Sequence, residues 1–236
     1  MPLINYIRFF VNILFIAPVL SLQLHLRLGR VKRGYVWILG NGPSLKKFST
    51  ESVMRSDTVI VCNHFYANAF SDTLQIDYYC CSDPRLFEDR AWLENVMKLN
   101  VSKIIVPFRQ VYKIPLKYQS KVIYYNYVPY FKLWETKLKF LKNTNILFPL
   151  KTGDTVVFDV MLSLAARVAA SRIKVVGVDL AHGGGVLHSY DESLVTGPRR
   201  SNDYLNSVWE ENTSLSFDII RQTPLFKEKV DWTFVE

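Results

Sequence analysis

Val36-Trp37-Ile38-Leu39-Gly40-Asn41-Gly42-Pro43-Ser44-Leu45 sets a β-rich apolar run directly against a glycine turn, and this junction decides the fold. A hydrophobic run that ends in glycine and enters Asn-Gly-Pro-Ser reads as strand, then turn, then helix. Gly40 and Gly42 permit a tight turn and a close approach of backbone to ligand. A helix starting there would offer free N–H groups and the positive end of its dipole to a phosphate. Ser44 suits either the cap of that helix or a donor to the phosphate. Leu45 stands where the dinucleotide fingerprint has its third glycine, and no Lys-Ser/Thr pair follows Gly42 as a Walker loop requires.

Working outward, Thr58 to Cys62 (TVIVC) is a second apolar run that stops at Asn63-His64, and Asp77 to Cys81 (DYYCC) is a third that stops at Ser82-Asp83-Pro84. Pro84 fits the first turn of a helix reaching Met97, with Asp83 as its cap. Lys103 to Val106 reads as the next strand, Val156 to Ala170 as an alanine-rich helix, and Arg172 to Val178 as a strand ending at Asp179. Asn202 to Arg221 has the spacing of an amphipathic helix. The alternation implies an α/β fold, Rossmann-like, with one mostly parallel sheet and helices on both faces. Such sheets bind ligands outside the carboxyl ends of their strands. That rule gathers Asn41 to Ser44, Asn63-His64, Ser82-Asp83, and Asp179 with the loop behind it into one region.

A chain of 236 residues, 49% hydrophobic, can bury the core of one ordinary α/β domain. Its 29 Lys and Arg against 21 Asp and Glu give a formal charge of +8, which favours anionic partners. Cys62, Cys80 and Cys81 lie in apolar runs without Cys-x-x-Cys spacing, so they read as buried thiols and not as a disulfide or zinc framework.

Phe9 to Leu26 (FFVNILFIAPVLSLQLHL) carries no formal charge with His25 neutral, and Arg27, Arg30, Lys32 and Arg33 follow it. Residues 1–33 therefore read as a hydrophobic membrane-associating helix with a basic flank, ahead of a catalytic domain at 34–236. The helix has three readings: lying in one leaflet, crossing once, or docking on the protein's own core. Pro18 and the scattered Asn12, Gln23 and His25 suit a partly wet helix. The basic flank predicts a body on the cytoplasmic face of a bacterial inner membrane, peripheral or single-pass. Between residues 98 and 142, ten Lys and Arg interleave with Tyr, Phe and Trp against the single acid Glu135. This stretch reads as a basic and aromatic helical insertion facing a membrane or an acceptor, or as a helical subdomain whose aromatics form core.

Taken together, ILGNGPSLK, then VCNHFY, then a helix-to-strand unit ending VVGVDLA before the loop AHGGGVLHSYD, resembles the bacterial sialyltransferases of glycosyltransferase family 42 and the related motility-associated-factor proteins. The resemblance spans roughly Val36 to Asp191. It implies a GT-A-like nucleotide-binding core and a CMP-activated nonulosonic acid as donor. Asn41, Gly42, Ser44, Asn63 and Asp179 would line the nucleotide site, and Thr152 and Gly153 of the KTGDT segment would lie against the donor. The reaction implied is inverting transfer, for which His182 and His188 are the candidate bases because histidine titrates near neutral pH; His188 is preferred, since its distance from the strand end gives the loop room to reach the acceptor. Tyr190 would stabilise the leaving phosphate, while His182, Arg199 and Arg200 would meet the acceptor or the donor carboxylate. No Asp-x-Asp motif occurs, so no cofactor or metal is expected.

The expected partners are a CMP-sugar donor carrying sialic acid, another nonulosonic acid or Kdo, a surface glycan or glycolipid acceptor such as lipopolysaccharide or capsule, an anionic membrane surface and a second copy of the chain. Nucleic acid is not expected. Two alternatives are a Mg-dependent enzyme like the pterin pyrophosphokinases, which share the Gly-x-Gly-Pro-Ser-Leu turn, and a non-catalytic basic membrane-binding adaptor.

Overall fold

The computed structural model of the chain describes residues 7, 10–28, 32–125, 156–168, 172–178, 189, 193, 195 and 230–231. Within them, β1 (Val36–Leu39), β2 (Thr58–Cys62), β3 (Ile76–Cys80), β4 (Val101–Pro107), β5 (Val122–Tyr125), β6 (Ile173–Val176) and the short β7 (Val230–Asp231) form a sheet of order β5-β4-β3-β2-β1-β6-β7. Every described pair is parallel. The chain steps outward from β1 to β5, then returns to place β6 on the other flank of β1. β1 is thus the switch point, with its carboxyl end beside those of β2 and β6.

Strand alternation divides the core between two faces. Val36, Ile38, Ile60, Cys62, Tyr78, Cys80, Ile105 and Ile123 pack with the helical turn Val156–Met161 and α3 (Leu162–Val168). Trp37, Leu39, Val59, Val61, Tyr79 and Ile104 face the other way, onto Trp92, Leu93 and Val96 of α2 (Arg90–Lys98). Central strands buried on both faces read as unbroken apolar runs, and this made β2 legible end to end.

Three expectations change. The element after Gly42 is a five-residue 3-10 turn, Pro43–Lys47, and not an α-helix. Leu45 and Phe48, three residues apart, both pack onto the sheet, with Phe48 edge-on to the Trp37 ring at 5.4 Å; that is the period of a 3-10 turn. Secondly, the stretch expected to be a helical insertion carries, beyond the expected strand at β4, a further strand β5, joined to it by 3-10 turns at Phe108–Lys113 and Leu116–Tyr118. Val122, Ile123, Tyr124 and Tyr125 are all buried, so these tyrosines are core and not interface; residues 126–142 lie outside the described set.

Thirdly, Gln23 and Arg27 of the N-terminal helix are turned to the sheet, while His25 is exposed. The turn Asn12–Ile16 leads into α1 (Ala17–Arg27), which packs along the outer edge of β5. Leu20 and Leu24 are buried. Gln23 Oε1 accepts from the Tyr124 N–H at 3.2 Å, and Arg27 donates to the carbonyls of Val122 (2.6 Å), Ser120 (2.8 Å) and Gln119 (3.1 Å). An exposed edge strand is a template for unwanted pairing, and these two side chains occupy its free groups. The inner face of α1 therefore docks on the protein's own core. No helix among the described residues is long and apolar enough to cross a membrane. The helix expected at Asn202 to Arg221 lies outside the described residues.

The tightest joint of the sheet lies between β1 and β6. Gly40 N–H donates to Val176 O at 2.8 Å and Gly42 N–H to Gly177 O at 2.8 Å, while Gly177 takes φ +71°. A Cβ on Gly40 would fall 2.1 Å from the Gly177 carbonyl oxygen, which is backbone and cannot swing aside. Gly40→Ala should therefore cost about 3 kcal/mol of stability through overpacking, read as a lowered midpoint in denaturant unfolding. An unchanged midpoint would show that the two strand ends separate freely.

Candidate active site

At the end of β2 the backbone of Asn63 turns to φ +50°, a left-handed conformation that asparagine tolerates better than most residues. Its N–H still donates to Cys80 O at 3.1 Å. Its carbonyl receives two buried donors, Tyr79 Oη at 2.9 Å and Trp92 Nε1 at 2.7 Å. The Tyr79 hydroxyl also accepts from Tyr66 N–H at 3.2 Å. Burial pushes the pKa of Tyr79 well above the ordinary phenol range, so it remains a protonated donor. The main chain of Asn63 is thus fixed from three sides, and its side-chain Oδ1 is buried without a partner among the described residues.

Asn41 makes the matching arrangement on β1. Its Nδ2 donates across the strand ends to Cys62 O at 3.0 Å, and its Oδ1 is likewise buried and unpartnered among the described residues. Its carbonyl accepts from the N–H of Ser189 at 2.8 Å, and Ser189 Oγ donates to Asn68 Oδ1 at 2.6 Å. Asn68 is buried, with its own Nδ2 turned to Phe65 O at 3.0 Å. Ser189 therefore joins Asn41, at the end of β1, to Asn68, in the connection after β2.

Among the described residues, two buried amide oxygens on adjacent strand ends are acceptors without donors. Leaving such a group unmatched costs on the order of 1–3 kcal/mol, so this edge suits a ligand that offers hydroxyl or amino hydrogens. An ionised phosphate, which only accepts, does not meet that demand. The turn itself is no phosphate cradle of the expected kind. Gly42 N–H is spent on Gly177 O, Pro43 has no N–H, and Leu45 N–H is spent on Gly42 O. Ser44 is not a cap either, for the cap position is Gly42 with no side-chain bond. Asp83 does cap the next turn, accepting from Arg85 N–H at 3.0 Å while pairing with the Arg85 guanidinium.

Asn41, Gly42, Ser44 and Asn63 thus meet at one sheet edge. Thr152, Gly153, Asp179, His182, His188, Tyr190, Arg199 and Arg200 lie outside the described residues. Asn68, Ser189 and the Tyr79–Trp92 pair were not picked out in the sequence, where each reads as an ordinary loop or core residue. His64 stands next to Asn63 with its Nδ1 3.4 Å from Tyr66 Oη, a titratable group at the same edge. The three thiols take no part in proton or metal chemistry here. Burial raises Cys62 to about 12 and Cys80 and Cys81 well above the usual thiol range. Among the described residues, no group of three or more His, Cys, Asp or Glu is placed to hold a metal ion.

A parallel sheet with β1 at its switch point is a fold shared with solved sialyltransferases. The chain has the fold of the Campylobacter jejuni sialyltransferases of glycosyltransferase family 42. CstII in complex with the substrate analogue CMP-3FNeuAc is 18% identical, with 87% of this chain and 85% of that chain covered and a TM-score of 0.50. CstII with cytidine-5'-monophosphate is 19% identical over 88% and 85%, TM-score 0.50. The monofunctional alpha-2,3-sialyltransferase Cst-I is 16% identical over 84% and 74%, TM-score 0.50. No family model and no curated protein sequence matches the chain.

The two strand ends yield a paired prediction. Glycine adopts positive φ without strain, so Asn63→Gly should keep stability within about 1 kcal/mol. Tyr79→Phe should cost about 1–3 kcal/mol, because it strips a donor from the Asn63 carbonyl and an acceptor from Tyr66 N–H. Thermal unfolding of both variants checks the contrast, and equal losses would contradict it.

Proposed function

We propose that the chain is an inverting, metal-independent glycosyltransferase that moves a CMP-activated acidic sugar onto a cell-surface glycan or lipid-linked acceptor. The observation that carries this reading is the pair of open amide oxygens of Asn41 and Asn63, set in a fold shared with structures that hold a CMP-sugar analogue. Ribose and sugar hydroxyls and the cytosine amino group supply the donors those oxygens lack.

In the proposed reaction a histidine removes the proton of an acceptor hydroxyl as its oxygen forms a bond to the anomeric carbon. The bond from that carbon to the phosphate oxygen breaks on the opposite side, and CMP leaves with the electron pair. His188 is the proposed base, and Tyr190 the proposed hydroxyl donor to the leaving phosphate. Ser189 is the chain neighbour of both, and its bonds to Asn41 and Asn68 support assigning that loop to the site. Thr152, Gly153 and Asp179 are assigned to the donor, and His182, Arg199 and Arg200 to the acceptor or the donor carboxylate. The sequence has no Asp-x-Asp to bridge a diphosphate through a metal, and a CMP donor has a single phosphate to release. The sugar is sialic acid, another nonulosonic acid or Kdo.

Calorimetric titration of the whole chain with CMP, UDP, GDP and ATP, with and without EDTA, tests the reading. CMP should bind selectively and survive EDTA, and Asn63→Gly should weaken it about tenfold, the worth of one good hydrogen bond. A preference for ATP with Mg²⁺ would overturn the assignment in favour of a pyrophosphokinase.

A separate measurement addresses the base. His188→Ala should keep CMP affinity and lose roughly 10²–10⁴-fold in transfer rate, the usual contribution of a general base. An unchanged rate would move the role to another group, His64 being the titratable side chain beside Asn63.

A further inference from the structure

The helix that seals the sheet edge has a second face with no part in the core. Along the inner side run Ile16, Leu20, Leu24 and Leu28, each one turn from the next, and all pack on the core clusters. Along the opposite side run Ile7, Val11, Leu14, Phe15, Val19, Leu22 and Leu26, recurring every three or four residues and all exposed. The exposure is large: Phe15 and Val19 are each 65% exposed, Leu22 59% and Leu26 71%. A contiguous stripe of this size on a surface helix calls for an occupant.

Charge selects the occupant. Glu51 is the first acidic residue of the chain, so the whole N-terminal stretch is neutral or positive. The carbonyls that Arg27 grips belong to the turn leading into β5, and that turn presents Leu116, 89% exposed, with exposed Lys117 and Lys121; Arg33 is exposed just after the helix. An apolar stripe with a basic rim and no acid complements an anionic lipid surface. A second copy of the same face would set like charges against each other.

We infer that the outer face of α1 and its preceding turn is a monotopic docking surface for an anionic lipid bilayer, the helix lying in the interface plane while its inner face stays on β5. No helix among the described residues is long and apolar enough to cross a bilayer. Crossing the bilayer would also strip Gln23 and Arg27 from the groups they satisfy on the edge strand. Gln23 meets Tyr124 and Arg27 meets Val122, so the helix runs antiparallel to β5, and its beginning lies toward the carboxyl edge of the sheet.

Co-sedimentation of the full chain with vesicles of phosphatidylethanolamine and phosphatidylglycerol, against vesicles of phosphatidylcholine, tests the surface. The wild type should bind the anionic vesicles at least tenfold more strongly. The triple variant Phe15→Gln, Val19→Gln, Leu22→Gln should melt as the wild type does and lose about 100-fold or more in vesicle partition, each large apolar side chain being worth roughly a factor of ten. Leu24→Ala, on the inner face, should lower the melting temperature and leave partition of the folded protein intact. Should the triple variant fail to fold, Phe15→Trp serves instead, with its added emission blue-shifted by vesicles and quenched by brominated lipid. Full binding by a folded triple variant, no quenching at position 15, or a wild-type dimer that the triple variant makes monomeric would each overturn the inference. CMP titration is indifferent to these outcomes, so failure here is distinguishable from failure of the transferase reading.

Discussion

The contact between Gly40 and Gly177 sets the geometry of everything at the carboxyl edge. With no Cβ on either residue, the ends of β1 and β6 close to a separation at which Gly40 and Gly42 both donate across the gap. That closure fixes the turn in between, and the turn holds Asn41 so that its amide crosses to Cys62 and its carbonyl meets Ser189. The glycines shape the site by packing strand against strand. Among the described residues, the amide oxygen of Asn41 between them has no partner.

A second constraint comes from the opposite flank of the sheet. β5 is an edge strand, and a parallel sheet needs cover on its edge as well as its faces. Helix α1 supplies it with two leucines, a glutamine and an arginine. Because these four occupy one side of a helix, the remaining apolar residues of the same segment must point elsewhere. One hydrophobic segment thus serves two environments, and a hydropathy reading that assigns it wholly to core or wholly to lipid misses half of it.

This division shows what was legible in the sequence. β2 could be read to the residue, since TVIVC is β-branched, buried on both faces and stopped by Asn63-His64. β5 could not, because Tyr124 and Tyr125 sit among lysines, and only the covering helix far away in sequence makes them core. Gln23 and Arg27 read as polar intrusions and basic flank for the same reason: their partners lie about a hundred residues downstream. At the site, Asn41 and Asn63 were visible as polar stops after apolar runs. Asn68 and Ser189 were not, because a clasp between two loops leaves no periodicity or motif in either.

The physical meaning of the Gly-Asn-Gly-Pro-Ser turn shifts accordingly. Glycines before a helix suggest an anion held by backbone N–H groups, yet here the N–H groups of Gly42 and Leu45 are satisfied internally and the turn is too short to build a dipole. The edge instead presents acceptors, one after each of two adjacent strands, with the Asn41 side-chain amide held by Cys62 O and the Asn63 backbone by Tyr79 and Trp92. Rigid acceptors discriminate by demanding hydrogens. A ligand lacking hydroxyl or amino groups at those points would leave two buried oxygens unpaired, a penalty large enough to exclude it. On the proposed function, this edge reads the sugar and base portions of the donor, and the charge of its phosphate is met by other parts of the chain.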